Sequence, residues 1–275
     1  MVTSHHRISS APIVDPSRLQ PAGRWALGDA LYECHREIFD GVDREQFQRY
    51  VVDSQAERSV IQTYVSDHLQ VVGYTALHFH ERVLGGRPAT IVRSEIGLQE
   101  GYRGRSLPVW FIVRELCAFL LAHPQRAAYV LGCPINPAMY FTMSRFAPEV
   151  WPCWQRETPP AERALMMTLA GEFGLAQVDP ERPLVRRVGW RIRESERERR
   201  FWRRHRDPHV QFYLRQNPDY RTGLGMLLLA PITWSNLGRG ALGVARRQLQ
   251  RRRQAITESG TSLFLSARER WAAIR

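Results

Sequence analysis

Residues Glu95 to Leu116 read "EIGLQEGYRGRSLPVWFIVREL", and this stretch decides the fold. It predicts an extended segment, a tight basic turn and then an apolar helix. A turn that leads the chain into a helix N-terminus is a suitable place to hold a phosphate group. Phosphate loops usually carry glycines where this one has Ser106 and Pro108. Three interpretations remain open: a cofactor loop that departs from the usual pattern, a loop for a different donor, or only a turn.

The turn carries several groups that can bind an anion. The backbone N–H groups of Arg105, Ser106 and Leu107 can donate, because they have no partner within the helix. Pro108 has no N–H, although proline suits the first turn of a helix for that reason. The Ser106 hydroxyl is expected to cap the helix, and Arg103 and Arg105 offer guanidinium groups that suit phosphate oxygens. The turn therefore predicts a phosphate site with few main-chain donors; the alternative is an ordinary capped helix start.

The composition predicts a folded chain with a substantial core. The 275 residues are 44% hydrophobic and 10% aromatic, enough for one large domain or two small ones. No run of about 18 apolar residues exists, so no membrane span is expected. Residues 1–24 lack the apolar core of a signal peptide and are expected to form a disordered leader. The cysteines are too few and too scattered for a disulfide framework, which favours a reducing cytoplasm: Cys34, Cys117, Cys133 and Cys153.

The positive charge is concentrated in the last third of the chain. The formal net charge is +12, and every one of its basic residues is an arginine. Between Glu181 and Arg253 there are 19 arginines and 6 acidic residues, whereas the first 180 residues are nearly neutral. Such a surface should attract an anionic partner: nucleic acid, membrane headgroups or an acidic protein.

The order of predicted elements is one or two helices, a three-stranded antiparallel meander, the basic turn, a helix, a strand and a helix. The hydrophobic patterns place them as follows: helices within 26–51, strands at Ser59–Asp67, Gln70–Val83 and Ala89–Leu98, a helix at Leu107–Leu121, a strand at Ala127–Gly132, and a helix after Asn136. We expect one domain at residues 25–180 and an arginine-rich helical extension at residues 181–275.

This order, together with the motif "GLQEGYRGRSL", resembles the GNAT superfamily of N-acyltransferases over roughly Ala26 to Pro152. Four residues match the spacing at the end of that family's fourth strand: Leu98, Tyr102, Arg103 and Gly104. Arg103 also fits the first place of the family's pyrophosphate loop. Glu100 replaces the family's proline, and Ser106 and Pro108 stand at its two small positions. The downstream segment "INPAMYFTMSRFAPEVWP" is similar to a bacterial branch with an asparagine-proline pair.

The resemblance implies an α/β fold with a mixed, mostly antiparallel sheet flanked by helices. It also implies transfer of an acyl group from a thioester to a small amine or amino acid, with a long acyl chain as one alternative. The donor is either acyl-CoA or the phosphopantetheine of an acyl carrier protein. The arm of a carrier protein has one phosphodiester where coenzyme A has a diphosphate, so a loop with few main-chain donors suits a carrier as well. Carrier proteins are also acidic, which suits the basic extension.

Acyl transfer needs a base for the amine proton and donors for the oxyanion, and an acid can protonate the departing thiolate. By resemblance, Glu95 is the base, the main-chain N–H near Leu98 is the polarising donor, and Tyr140 is the thiolate acid. The donor-binding residues implied are Leu98, Arg103, Gly104, Arg105, Ser106, Leu107 and Asn136. Two alternatives stay open: Glu95 as a surface carboxylate paired with Arg93, and Tyr140 as a core tyrosine.

Two other groups have chemical potential in the sequence. Cys133 follows a core strand and is either a nucleophile or a buried structural thiol. His78 and His80 lie on one face of a strand, which is formally a metal pair, but no third ligand stands at a useful spacing. We therefore expect no metal; the two histidines can instead line the acceptor cleft or serve as a base.

The last third predicts a charged helix, an apolar run and a basic amphipathic helix. The run "GLGMLLLAPITW" (Gly223 to Trp234) is too short to cross a bilayer, and the final helix carries Leu242, Ala245 and Leu249 on one side. That helix either packs against the domain, docks on a membrane surface or binds an anionic partner. We expect a cytoplasmic protein, with peripheral contact with the membrane's inner face as an alternative, and we do not expect nucleic acid as its partner. The rival function is a non-catalytic GNAT-like scaffold that binds nucleic acid or an anionic membrane through this extension.

Overall fold

The computed structural model of the chain describes residues 7–104, 106–246 and 248–250. In chain order its strands are β1 (Ile8–Ser10), β2 (Ile13–Val14), β3 (Phe39–Asp40), β4 (Arg58–Ser66), β5 (Val71–Leu84), β6 (Arg87–Leu98), β7 (Ala127–Gly132), β8 (Val185–Arg187), β9 (Arg191–Ile192), β10 (Leu224–Met226) and β11 (Leu228–Pro231). Its α-helices are α1 (Pro21–Ile38), α2 (Arg44–Phe47), α3 (Leu107–Ala122), α4 (Pro137–Phe146), α5 (Pro160–Glu172), α6 (Glu196–Arg204) and α7 (Pro208–Gln216). Residues 234–246 and 248–250 are also helical and are called the C-terminal helical segment here.

A seven-stranded sheet forms the centre of the fold. Its order is β1-β4-β5-β6-β7-β11, and β2 also pairs with β4. Every pairing in this sheet is antiparallel except that of β6 with β7, which is parallel because α3 crosses between them. Helices cover both faces. The predicted fold class, a mixed and mostly antiparallel sheet flanked by helices, is confirmed.

The meander forms close to where the alternating pattern predicts it, with strand ends displaced by two residues at most. The turn between β5 and β6 consists of Gly85 and Gly86, which have φ angles of 56° and 76°. A two-residue hairpin turn needs positive φ at both positions, and glycine adopts it without steric cost. This turn fixes the register that pairs Leu84 with Arg87 and, at the far end, Gly73 with Leu98.

Each face of the sheet has its own apolar layer. On one face, Leu31 and Ile38 of α1 pack against Tyr74 and Ala76 of β5. On the other face the aromatic residues of α3 pack against β5 and β6: Phe111 and Phe119 against Leu77, Phe79 and Val92. Full burial of each such side chain contributes roughly 1.5–3 kcal/mol, which holds the strands rigidly beneath the site.

The residues after position 180 complete this core. β11 pairs with β7, and Leu228 and Leu229 are fully buried between Leu131 and the helices α4, α5 and α7. The apolar run Gly223 to Trp234 therefore contains the two short buried strands β10 and β11, and the predicted boundary at residue 180 does not separate two packing units. The charged helix predicted near Glu194 is α6. No described helix is long and apolar enough to cross a bilayer.

The predicted disordered leader is wrong for the residues that the structure describes within it. β1 and β2 both pair with the edge strand β4, and the Ser9 hydroxyl donates to the Ser66 carbonyl at 2.7 Å. Asp15 accepts from the Ser17 N–H at 3.0 Å, and α1 begins at Pro21. A short edge strand is held by backbone hydrogen bonds and does not require a long apolar run. The sequence pattern therefore did not indicate strands in this segment. Residues 1–6 lie outside the described residues.

β6 and β7 are paired over only part of the length of β6. β6 pairs with β5 over its whole length, but it pairs with β7 only from Ala89 to Val92. Beyond Val92 and Val130 the two parallel strands diverge, and residues 93–96 of β6 are partly exposed. We call residues 93–98 the open edge of β6. It leads directly into the basic turn and α3.

Candidate active site

Glu95 belongs to a line of three polar side chains that crosses three adjacent strands. His78 on β5 lies between Ser59 on β4 and Glu95 on β6. The Ser59 Oγ and His78 Nδ1 atoms share a hydrogen bond at 2.8 Å, and His78 Nε2 lies 2.9 Å from Glu95 Oε2. The strand register produces this line, because Ser59 is directly opposite His78, and Glu95 is its diagonal neighbour on the same face. When the Ser59 hydroxyl donates to Nδ1, the ring proton is on Nε2 and faces the carboxylate.

His78 and Glu95 differ in how far their side chains are exposed, and this difference indicates different roles. The side chain of His78 is 2% exposed, whereas that of Glu95 is 17% exposed. The contact between them is close but poorly aligned, and among the described residues neither Nε2 nor Oε2 has a well-directed hydrogen bond. Glu95 is therefore the member of the line that a ligand can reach, and His78 lies behind it.

The surroundings keep Glu95 in its ionised form. Burial raises the pKa of this carboxyl, but His78, then Arg93 and His80, more than offset that effect, so the pKa lies below its ordinary value. The carboxylate is thus available as a proton acceptor at neutral pH. The alternative of a surface pair with Arg93 is wrong, because the close basic partner of Glu95 is His78, and the Arg93 guanidinium carbon lies 5.0 Å from the centroid of the Phe173 ring.

His80 lies further along the same face and is held neutral. Burial, then His78, Arg82 and Arg93, lower its pKa to about 4. Its ring meets the edge of Phe173 at a centroid distance of 4.9 Å. Among the described residues no group of three or more His, Cys, Asp or Glu is arranged to hold a metal ion.

Another buried polar pair lies close to Glu95 and was not singled out from the sequence. The Tyr74 hydroxyl and His35 Nδ1 lie 2.8 Å apart, bridging β5 and α1. Burial lowers the pKa of His35 to about 4, and burial, together with Cys34 and Glu95, raises the pKa of Tyr74. Both groups are therefore neutral at pH 7.

The side chain of Arg103 makes different contacts from the ones predicted. Its Nε donates to the Leu98 carbonyl at 3.0 Å, and its Nη1 pairs with Glu198 of α6. Glu198 is also the third residue of α6 and accepts from the Ser195 N–H at 3.2 Å in a capping box. The guanidinium group predicted for phosphate is thus occupied by a carboxylate, and α6 lies against the turn.

The rest of the turn keeps the shape of a helix entrance. Gly104 has φ 79°, in the left-handed region, and α3 starts at Leu107 with Pro108 in its first turn. Ser106 occupies the N-cap position, but its side chain makes no capping hydrogen bond, so the predicted hydroxyl cap is wrong. The predicted donor roles of Leu98, Gly104 and Leu107 stay predictions, and that of Arg105 lies outside the described residues.

α6 brings arginines to this end of the molecule. Arg200, Arg203 and Arg204 line a surface cavity of about 350 Å³. They follow Glu198 on the same helix, whose rise of about 1.5 Å per residue keeps them within two turns of the Arg103 contact. The sequence did not show that this charge belongs beside the turn, because the Arg103–Glu198 contact joins residues 95 positions apart.

Asn136 and Tyr140 are structural residues in this fold. The Asn136 Oδ1 accepts from the Met139 N–H at 2.8 Å and caps α4, while the predicted contact of Asn136 with a donor stays a prediction. Tyr140 is fully buried, and its hydroxyl donates to the Pro152 carbonyl at 2.8 Å. Burial raises its pKa above the ordinary tyrosine value. The open alternative of a core tyrosine is the correct one, because no leaving group can reach this hydroxyl.

Cys133 is a buried structural thiol. Burial raises its pKa to about 12, so the thiolate that a nucleophile requires is not populated at neutral pH. Its Sγ lies close to Gly225, where a Cβ atom would come within 2.7 Å of it. The residue thus lies directly after β7 and packs against β10.

Comparison with known proteins gives fold-level likenesses only. No family model matches the chain, and no curated protein matches it. Arabidopsis thaliana NAA60 in complex with acetyl-CoA is 14% identical, with 81% of this chain and 99% of that chain covered and a TM-score of 0.36. The Escherichia coli GNAT family N-acetyltransferase YhbS in complex with CoA is 21% identical, with coverages of 50% and 69% and a TM-score of 0.27. AtaTR bound with AcCoA is 15% identical, with coverages of 45% and 75% and a TM-score of 0.29.

These identities and TM-scores assign no activity to this chain. Its fold is instead defined by its own sheet, in which an antiparallel meander leads through a basic turn and a helix into a parallel strand. That is the arrangement which the resemblance to the GNAT superfamily implies.

Proposed function

We propose that this protein is an N-acyltransferase that moves an acyl group from a thioester donor to a small amine, with Glu95 as the general base. The observation that carries the proposal is the position of Glu95: ionised, partly exposed, and on the open edge of β6 that leads into a helix N-terminus. A donor with an extended arm and a phosphate end, and an acceptor that must lose a proton, both suit this place.

The open edge of β6 suits the arm of the donor. A strand edge without a neighbour offers backbone N–H and C=O groups, and an extended ligand with amide groups can pair with them as an added strand. A pantetheine arm has that chemistry. An arm bound along residues 93–98 brings its thioester carbonyl close to Glu95, and a main-chain N–H near Leu98 can stabilise the developing oxyanion.

The phosphate end of the donor has two sources of positive charge. The first N–H groups of α3 point out of the helix start, where the helix dipole favours an anion. Arg103 supplies a guanidinium group at the same end, where α6 lies against the turn. Arg103 changes partner in this proposal, exchanging the Glu198 carboxylate for a phosphate oxygen. The diphosphate of an acyl-CoA uses more of these groups than a single phosphodiester does, so we propose acyl-CoA as the donor and an acyl carrier protein as the alternative.

The chemistry balances with one carboxylate. The amine nitrogen attacks the thioester carbon, forming the C–N bond, and the carbonyl electrons move to oxygen. Glu95 takes the proton that the nitrogen releases. Collapse of the tetrahedral intermediate breaks the C–S bond, and the departing thiolate receives that proton. Tyr140 plays no part, since its hydroxyl is bonded inside the core.

The test is an acyl-transfer assay on the full chain. Acetyl-CoA and longer acyl-CoAs are incubated with a panel of amines and amino acids, thiol release is followed by absorbance, and acylated products are identified by mass spectrometry. We expect amine-dependent thiol release that Glu95→Gln abolishes and that the exposed control Glu157→Gln retains. Absence of transfer to every amine, combined with oligonucleotide binding that acyl donors do not change, would replace this proposal with the non-catalytic scaffold.

A further inference from the structure

A second cavity lies at the opposite end of α4 from the open edge of β6. It has a volume of about 470 Å³ and is enclosed by the end of α4, the loop after it, the start of α7 and the C-terminal helical segment. Besides Ser144, whose hydroxyl donates to the Tyr140 carbonyl, six polar side chains contribute to its lining: Arg145, Gln155, His209, Arg239, Arg246 and Gln250. Every one of them can donate a hydrogen bond, and three are permanently cationic.

The positive charge of this cavity is poorly compensated. Among the described residues, the acidic contact with its arginines is that of Asp207, whose Oδ2 lies 3.9 Å from Arg145 Nη1. Within the same described part of the chain, Arg239 and Arg246 form no ion pair. Burial lowers the pKa of His209, and so does Arg145, while Asp207 raises it. The Nδ1 atom of His209 is buried and has no hydrogen-bond partner among the described residues.

The segments around the cavity are held together by hydrogen bonds. Asn236, which is 5% exposed, donates to the Glu149 and Pro231 carbonyls at 3.0 and 2.7 Å, and its Oδ1 accepts from the Glu149 N–H at 3.0 Å. These bonds attach the C-terminal helical segment to the loop after α4. The Arg145 guanidinium carbon lies 5.2 Å from the centroid of the Phe141 ring, which restrains that side chain as well.

This cavity is distinct from the acyl-transfer site. α4 begins after Asn136, next to the diverging end of β7, and runs back along the sheet to Phe146. At about 1.5 Å per residue, Arg145 lies roughly 14 Å along the helix from Asn136. None of the lining residues takes part in the reaction proposed above, so the two proposals can be tested independently.

We propose that this cavity is a binding site for a phosphate monoester. Tetrahedral phosphate oxygens accept from several guanidinium groups at once, which a planar carboxylate does less completely. The volume exceeds that of a single phosphate and leaves room for a small organic group, which the glutamine amides contact. The same chemistry occurs in a soluble phosphorylated metabolite and in the headgroup of phosphatidic acid.

The experiment measures phosphate binding by the full chain in the absence of any acyl donor. Inorganic phosphate and glycerol 3-phosphate are titrated by calorimetry in chloride-matched buffer, and vesicles of phosphatidylcholine with and without phosphatidic acid are used in co-sedimentation. The test variant is Arg239→Gln with Arg246→Gln. The matched control is Arg187→Gln with Arg215→Gln, which removes the same charge from exposed positions elsewhere.

We expect saturable binding by the wild-type chain and the control, weakened at least about tenfold in the test variant. Binding of the soluble phosphates identifies a metabolite site. Binding confined to phosphatidic acid vesicles, and lost in the test variant, identifies the lipid headgroup as the source. Equal binding by the test and control variants, or no saturable binding of either kind by the wild-type chain, would overturn the proposal.

Discussion

His78 Nε2 lies 2.9 Å from Glu95 Oε2 behind the open edge of β6, so a buried imidazole lies behind a partly exposed carboxylate. The Ser59 hydroxyl fixes the far side of the ring at 2.8 Å. This arrangement resembles the way enzymes orient a proton acceptor through a second residue. It makes Glu95 and His78 separable by experiment, because only one of them touches the substrate.

Replacement of Glu95 by glutamine should lower turnover by at least about a hundredfold, because general-base catalysis typically contributes that much. Donor affinity should stay nearly unchanged, since the base acts on the amine and not on the phosphates. Steady-state kinetics and calorimetry with the donor provide the two readouts, with Glu157→Gln as the control. Full turnover in Glu95→Gln at neutral pH would remove this residue from the mechanism.

Replacement of His78 by glutamine should move the acidic limb of the kcat/KM profile to higher pH. His78 is the largest influence that lowers the pKa of Glu95, and burial, which raises it, remains after the substitution. Glu95 then protonates at a higher pH, and its basic form is lost earlier as pH falls. The pH profile of the wild type, His78→Gln and the exposed control His68→Gln shows whether the limb moves. An unmoved limb with reduced turnover would mean that His78 serves only the packing.

The same pair should also leave a signature in stability. A carboxyl whose pKa is lower in the folded than in the unfolded chain stabilises the fold above its unfolded pKa, and this contribution is lost as pH falls through the folded value. The loss should therefore occur at acid pH, below the ordinary glutamate range of about 4.3. Urea titrations of the wild type and Glu95→Gln between neutral and acid pH should converge as pH falls. A constant difference would contradict the lowered pKa.

Arg103 and Glu198 should give opposite effects on donor affinity. Arg103→Gln removes a phosphate partner and should weaken donor binding by about tenfold, since a charge-assisted bond contributes roughly 1.5–3 kcal/mol. Glu198→Gln removes the carboxylate that occupies Arg103 and should strengthen binding, while glutamine at this position still completes the capping box of α6. Calorimetry with the donor gives both values. Equal weakening by both substitutions would mean that the pair only attaches α6.

Tyr140→Phe distinguishes the buried tyrosine of the structure from the catalytic acid implied by the resemblance. It removes the hydrogen bond to the Pro152 carbonyl and should destabilise the fold by about 1 kcal/mol. Turnover at a temperature where the variant is folded should be unchanged. Urea denaturation and the thiol-release assay measure the two quantities. A large loss of turnover without a loss of stability would restore Tyr140 to the mechanism.

The meander, α3 and β7 were predictable because their signals are local. Strand alternation and the paired glycines of the β5–β6 turn are contained in short windows, so β7 was predicted at its observed bounds and α3 to within one residue. The position of Glu95 on β6 followed from the same pattern, whereas its role as a base came from the resemblance and stays a prediction.

The remaining features depend on residues far apart in the chain. β1 and β11 are short strands that become strands through pairing, with β4 and with β7 respectively. Arg103 pairs with Glu198, and the Tyr140 hydroxyl donates to the Pro152 carbonyl. Both partners lie outside the short sequence windows from which β6 and α4 were predicted. Their roles were assigned from neighbours in sequence, and tertiary contacts decided otherwise.

The pairing of β7 with β11 also sets the order of events during synthesis. Leu131 pairs with Leu229, about a hundred residues later in the chain. At roughly 5–20 residues per second on the ribosome, the free edge of β7 waits about 5–20 seconds for its partner. Until β11 emerges, the nascent chain exposes an unpaired strand beside an apolar layer, which is a template for association with other chains. Synthesis of the last fifth of the polypeptide, which contains β11, therefore ends the exposure of this strand edge. Chains truncated before β11 should be bound by chaperones rather than released as folded protein.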